Sequence, residues 1–140
     1  MNVYLDASVL VALFTNDPFT NRVDSYLRAE TPSLLISDFA GTEMASAIAR
    51  RVRTTELTTE EADDVFIAFD EWPVRLDSWV ETTPADIAMA TTLVRRLDLG
   101  LRAPDALNIA IAQRVGSALW TFDQKMAEGA RTLGMTLINA

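Results

Sequence analysis

Apolar positions along the chain fall into short runs that alternate with helical stripes. Val3, Tyr4 and Leu5 make an apolar run that stops at Asp6, and a second apolar stretch over 8–14 follows at once, which reads as strand, turn and helix. Asp17-Pro18 restarts a helix with Val23, Tyr26 and Leu27 on one stripe, and Thr31-Pro32 breaks it ahead of a strand at Leu34, Leu35 and Ile36. Ser37 or Asp38 caps the long helix that follows, to about Thr54. Thr58 and Glu61 have the spacing of a capping box before Ala62, Val65, Phe66 and Phe69, so another helix runs to about Glu71 and Pro73 ends it. The span 74–79 alternates weakly and reads as a short strand. Thr83-Pro84 opens a helix through Ile87, Ala90, Leu93, Val94 and Leu97, and Pro104 opens the next. Ala118, Leu119 and Trp120 form a strand, 123–133 a helix with Gly134 as its C-cap, and 135–138 a last strand. Strands alternating with helices, singly or in pairs, predict an α/β fold with a parallel sheet covered on both faces. No repeat or linker interrupts the pattern, and 140 residues suit one domain over 1–140.

Composition narrows the chemistry more than the fold. With 49% apolar and 23% charged residues the chain is too rich in core-formers for disorder. It has no Cys and no His, which excludes disulfides, thiol nucleophiles, Cys/His zinc sites, Ser-His-Asp triads and imidazole acid-base catalysis. Catalysis is left to carboxylates, hydroxyls, Arg, the single Lys125 or a bound ion. No apolar run approaches the length of a membrane span, and no basic stretch precedes the first apolar run, so the expected location is the cytoplasm, away from membranes. The net charge of -8 argues against nucleic-acid binding through a broad basic surface.

In parallel sheets the functional crevice lies at the carboxyl ends of the strands, where Asp6 and Asp123 stand. Asp is equally at home there as a helix N-cap. Glu43 shares a helix face with Ala40, Met44, Ala47 and Ile48, a buried stripe on which an ionised carboxylate needs a cation, either an Arg partner or a metal. Asp105 lies in the first turn of a helix apolar nearly all round, interrupted only by Asp105 and Asn108; a favourable contact with the helix dipole is the plain alternative. Converging carboxylates need compensation, and with only oxygen donors on offer the ion is a hard one, Mg2+ with Mn2+ as a substitute. Such an ion acidifies water and polarises a phosphoryl oxygen, so metal-assisted phosphodiester hydrolysis is the reaction class. Ser8 and Thr121 are placed to bond a metal water or phosphate, or serve as ordinary turn hydroxyls.

The runs Tyr4-Leu5-Asp6-Ala7-Ser8-Val9-Leu10, Thr42-Glu43-Met44-Ala45, Leu101-Arg102-Ala103-Pro104-Asp105-Ala106-Leu107-Asn108 and Trp120-Thr121-Phe122-Asp123, in that order and spacing, resemble a PIN domain, and within that family the VapC-type toxins of bacterial toxin-antitoxin systems. The resemblance spans essentially the whole chain. It implies a three-layer sandwich with a mostly parallel twisted sheet, and a Mg2+-dependent endoribonuclease that cuts RNA, is silenced by a cognate VapB-type antitoxin and pairs as a homodimer. It assigns Asp6, Glu43, Asp105 and Asp123 to the acidic cluster, with Asp6 and Asp105 as direct metal ligands and Glu43 and Asp123 acting directly or through water. Asn108 departs from the pattern, since relatives commonly carry His there, and reads as a matter of local helix packing.

Two rival classes remain. A phosphoacceptor receiver domain also sets acids at strand ends, but Asp6 is followed by Ala7, Asp77 ends only the weak strand and Lys125 falls in a helix start. A binding module of the same fold would grip RNA or a partner without useful turnover. Around the acids, Arg50, Arg51 and Arg53, then Arg95, Arg96 and Arg102, read as a basic rim for phosphates or as a solvated face paired with Glu56 and Glu60. Trp72 and Trp79 read as core or as base-stacking surfaces.

Overall fold

The computed structural model describes residues 1–139, so Ala140, the last position of the expected domain 1–140, lies outside the described residues. Four strands, β1 (Asn2–Leu5), β2 (Ser33–Ser37), β3 (Trp79–Val80) and β4 (Ala118–Trp120), pair in parallel in the order β3-β2-β1-β4. Val3 stands opposite Leu34 on one side and Ala118 on the other. Val3, Tyr4 and Leu5 of this central strand are fully buried, as a run covered on both faces requires.

Among the described residues there are eight helices, seven of which carry the crossovers. Between β1 and β2 lie α1 (Ala7–Phe14) and α2 (Thr20–Glu30); between β2 and β3 lie α3 (Asp38–Arg53), α4 (Thr59–Asp70) and α5 (Pro73–Asp77). Then α6 (Pro84–Arg95) and α7 (Ala103–Arg114) lead to β4, and α8 (Gln124–Thr132) follows it. The chain steps one way from β1 to β3 and then returns past β1 to β4. Right-handed crossovers place the helices of the outward path on one face and those of the return on the other. The reversal falls between β1 and β4, at whose carboxyl ends a doubly wound sheet opens its crevice.

Local signals set most boundaries. Ser37, not Asp38, caps α3, its Oγ accepting from the Ala40 amide at 2.9 Å. Thr58 with Glu61 and Thr83 with Asp86 form full capping boxes on α4 and α6. The α2 helix begins at Thr20 rather than at Asp17, because Asp17 and Thr20 bond each other's neighbourhood in a turn, the Asp17 amide donating to Thr20 Oγ1 at 3.0 Å.

Three expectations are corrected. The span 74–79 is not a strand: Pro73 opens the single helical turn of α5, and only Trp79 and Val80 pair, with Ile36 and Ser37. Proline lacks the N–H that a first-turn residue does not use, so it starts a helix as readily as it ends one. The strand at 135–138 reduces to one bridge between Leu137 and Leu119, because Gly134, at a φ of 79°, turns the chain only just before it and β4 offers three residues of edge. The α6 stripe is narrower than its apolar pattern: Ala90 and Leu93 are buried, but Ile87 and Val94 are exposed and Leu97 lies beyond the helix, 88% exposed.

The tryptophans pack within the structure. Trp72 meets the Phe14 ring edge-on at 5.2 Å, and Trp79 lies under the Arg75 guanidinium at 4.8 Å. On the other layer Arg114 of α7 grips the buried Asp86 of α6 with two bonds, Nε to Oδ1 at 2.8 Å and Nη2 to Oδ2 at 3.0 Å. No helix among the described residues is long and apolar enough to cross a membrane.

Candidate metal centre

Helices α1, α3 and α8 each start just past a strand, and α7 runs back antiparallel to the strand it feeds, so all four begin at the carboxyl end of the sheet. Each delivers one of the four acids singled out from sequence. Their positive dipole ends favour negative charge there.

Asp6 extends the β1–β4 ladder through its amide, bonded to the Trp120 carbonyl at 3.2 Å, and its side chain is buried. As N-cap of α1 its Oδ1 accepts from the Val9 amide at 3.1 Å and from Ser8 Oγ at 2.6 Å, and Oδ2 accepts from Thr121 Oγ1. Both hydroxyls are thereby committed. Ser8 Oγ also accepts from the Phe122 amide and Thr121 Oγ1 from the Asp123 amide, each at 2.9 Å, so they stitch the turn after β1 to the turn after β4 around Asp6.

Asp123 caps α8, its Oδ1 accepting from the Met126 amide at 3.0 Å. Asp105, third residue of α7 and buried, accepts from the Arg102 amide at 3.1 Å through Oδ2, which lies 3.6 Å from Arg102 Nε. Glu43 differs in kind. Set in the second turn of α3, it caps nothing, and its Oε1 accepts from Asn108 Nδ2 at 2.7 Å. The N-cap alternative is therefore realised for Asp6 and Asp123, and Asp105 in the first turn of α7 bonds the N-cap amide, yet these bonds do not use up the acids. Asp105 Oδ1, Asp123 Oδ2 and Glu43 Oε2 make no hydrogen bond to another described residue.

The acids act on one another through their charges. Burial raises the Glu43 carboxyl above its usual range, the Asn108 bond opposes this, and the charges of Asp6, Asp105 and Asp123 push it further up. Burial likewise pushes Asp6 up to about 6; its bonds from Ser8, Thr121 and Val9 pull down and the charge of Asp123 pushes up. Among the described residues no three acids stand close enough together to form a ready-made metal cage. The donor set nevertheless fits a hard divalent ion in kind: oxygen only, with free carboxylate oxygens on three residues and like-charge strain that a cation relieves.

Behind the acids lies a buried polar chain, so Asn108 is more than a matter of local helix packing. Tyr4 Oη donates to Asn108 Oδ1 at 2.6 Å and lies 2.6 Å from Ser37 Oγ, and all three side chains are fully buried. The signal was present in the sequence, since an amide in a helix with no solvent face must find partners inside.

The basic residues divide. Arg51 pairs with Asp17 at 2.9 Å and Arg96 with Asp98 at 2.8 Å, not with Glu56 or Glu60. Arg50, Arg53 and Arg102 line a groove of about 760 Å³ together with Glu43 and Arg51. Asp77 ends α5 and Lys125 lies within α8, so neither takes the strand-end position of a phosphoacceptor site.

The PIN domain family profile matches residues 3–131. Ribonuclease VapC46 of Mycobacterium tuberculosis is 29% identical over 140 residues, 97% of this chain and 95% of its own. Among solved structures, VapC20 of the same species, a sarcin-ricin loop cleaving toxin, superposes with a TM-score of 0.74 at 18% identity, over 99% of both chains. VapBC2 from Rickettsia felis, bound to a DNA fragment from its promoter, gives 0.67 at 14% identity, over 99% of this chain and 98% of that one. The two likenesses support the α/β architecture.

Proposed function

The chain belongs to the PIN domain family, and on that premise we propose that it is a Mg2+-dependent endoribonuclease, one nuclease domain acting as the toxin of a VapBC-type pair. The observation that carries this is the placement of the four acids on α1, α3, α7 and α8 at the carboxyl end of the sheet, three of them with a carboxylate oxygen that bonds no other described residue. Asp6 and Asp105 are the direct ligands in this reading, with Glu43 and Asp123 holding the ion directly or through water; Mn2+ substitutes. When bound, the ion supplies Lewis acidity toward water and a phosphoryl oxygen.

The chain's own residues do the remaining work. Ser8 and Thr121 hold both Asp6 oxygens with hydroxyl donors, which keeps that carboxylate facing the crevice without a cation of its own. Arg50, Arg53 and Arg102 offer guanidinium forks to phosphates in the groove that Glu43 also lines. Local charge of this kind reconciles an RNA substrate with a net charge of -8. Arg50→Glu is expected to raise KM for RNA about tenfold with kcat nearly unchanged, and to flatten the salt dependence of binding; an unchanged KM would take the groove out of the substrate path.

A VapB-type antitoxin silences the activity, the active assembly is a homodimer, and the protein works in the cytoplasm. The reading is supported by a relative named as a ribonuclease and by a solved neighbour that is a VapBC assembly. Because the acids are not gathered into a cage, the same fold serving as a binding module without turnover is the second reading. Incubation of purified protein with structured RNA separates them: cleavage with Mg2+ or Mn2+ that stops in EDTA supports the nuclease, and RNA retention without any cut in either ion supports the module.

A further inference from the structure

We infer that Asn108 is a positioning residue for Glu43, locked in one orientation by a buried chain of hydroxyls that starts at Ser37. The inference rests on the reading of Glu43 as an ion-holding acid. The three aspartates are fixed by backbone amides of their own helices. Glu43 has a longer side chain, three rotors and no such anchor; its hydrogen bond comes from Asn108 alone among the described residues. Where its carboxylate stands therefore depends on one amide.

That amide has little freedom to turn. Nδ2 faces two acceptors, Glu43 Oε1 at 2.7 Å and the Pro104 carbonyl at 3.0 Å, while Oδ1 takes the Tyr4 hydroxyl proton at 2.6 Å. A flipped amide would set an oxygen against both acceptors. Tyr4 has one proton, and it goes to Asn108, so the Ser37 hydroxyl 2.6 Å away donates to Tyr4 Oη while its own oxygen accepts from the Ala40 amide at 2.9 Å. Donation runs in one direction, Ser37 to Tyr4 to Asn108 to Glu43, and ties the end of β2, the centre of β1, α7 and α3 into one device. Glu43 Oε1 is turned back to α7 and Oε2 is left for the crevice. Such outer partners set the orientation and basicity of the residues that touch an ion.

The test uses Asn108→Leu, Asn108→His, Tyr4→Phe and Glu43→Gln in the full chain. Calorimetric titration of EDTA-stripped protein with Mn2+ is expected to show affinity about 10- to 100-fold weaker in Asn108→Leu, with kcat on RNA lowered in step and KM within about twofold. Asn108→His, whose ring offers one N–H and one acceptor nitrogen, is expected to recover most of the loss. Tyr4→Phe, which touches neither Glu43 nor substrate, is expected to weaken Mn2+ about threefold or more, and it carries the test if Asn108→Leu does not fold. A readout free of metal and activity is the 15N NMR signal of the Asn108 side-chain amide: protected from solvent exchange, and displaced by Glu43→Gln. Wild-type Mn2+ affinity and turnover in both Asn108→Leu and Tyr4→Phe would overturn the inference. If the wild type neither binds Mn2+ nor cuts RNA, the functional reading fails and the NMR signal decides this one: displacement by Glu43→Gln upholds the positioning bond, and an unmoved signal overturns it.

Discussion

Replacing Asp6 by Asn is expected to lower RNA cleavage by more than about 100-fold, beyond the loss seen when only an orienting partner is removed, while leaving the metal-free protein more stable at neutral pH than the wild type. The second half follows from the sign of its titration. Asp6 ionises near 3.8 in the open chain and at about 6 in the fold. Between those values the native state holds more protons than the unfolded state, so stability falls as pH rises through the window and stays low above it. The shift corresponds to about 3 kcal/mol. Asn keeps an acceptor for the Val9 amide but sets an amide against the Thr121 hydroxyl, which costs about 1 kcal/mol and leaves a net gain of about 2. Burial and the other acids act on Glu43 in the same direction. Urea denaturation in EDTA at pH 4.5 and pH 7 should therefore show a wild type that loses stability with rising pH and a variant that loses less. A variant less stable than wild type at pH 7, or one that still cuts RNA at the wild-type rate, contradicts the placement of Asp6.

The largest purely structural effect is expected at Arg114. Its guanidinium holds both oxygens of Asp86, 2% exposed, and reaches the Glu81 carbonyl at 2.8 Å. Arg114→Met would leave a buried carboxylate with only the bond from the Thr83 amide to Oδ2, at 2.9 Å. Breaking one side of such a pair costs about 3–5 kcal/mol, and the lower end applies because the Arg114 side chain is 37% exposed. Against a total stability of about 5–15 kcal/mol that is a large share. Adding Asp86→Asn should restore more than half of it by removing the stranded charge. A single variant within about 0.5 kcal/mol of wild type in chemical denaturation would show that water, not Arg114, satisfies Asp86.

The three longer strands, and the places in the fold of the acids, were legible from sequence because each acid interrupts an apolar pattern. Asp6 ends a strand, Asp105 breaks a helix without a solvent face, and Glu43 sits on a buried stripe. Elements with few residues were harder. The turn at 73–77 and the bridge at Leu137 depend on proline position and on how much strand edge a neighbour offers, and alternation over four or five residues does not distinguish these from strands. Partner choice was the least legible. Arg51 finds Asp17 because α3 packs on α1, Arg96 takes Asp98 two residues along its own loop, and Ser8 and Thr121 turn inward to Asp6 rather than outward. Asn108 was visible as an interruption, but its role emerges only once Tyr4 and Glu43, 104 and 65 positions away, are seen against it.

Whether acids that cap helices also hold an ion is the central question, and Asp105 poses it most sharply because its capping bond is plain. Thermal melts of the wild type and Asp105→Asn, each in EDTA and in Mn2+ at about a hundredfold excess over the wild-type Kd, answer it. Ion binding to the folded state alone stabilises the wild type by about 2.7 kcal/mol, a rise of roughly 5–12 °C for a chain of this size, and Asp105→Asn is expected to lose most of that rise. A destabilised Asp105→Asn whose melting temperature climbs with Mn2+ as far as the wild type's would contradict it, reducing Asp105 to a helix cap and removing it from the metal centre.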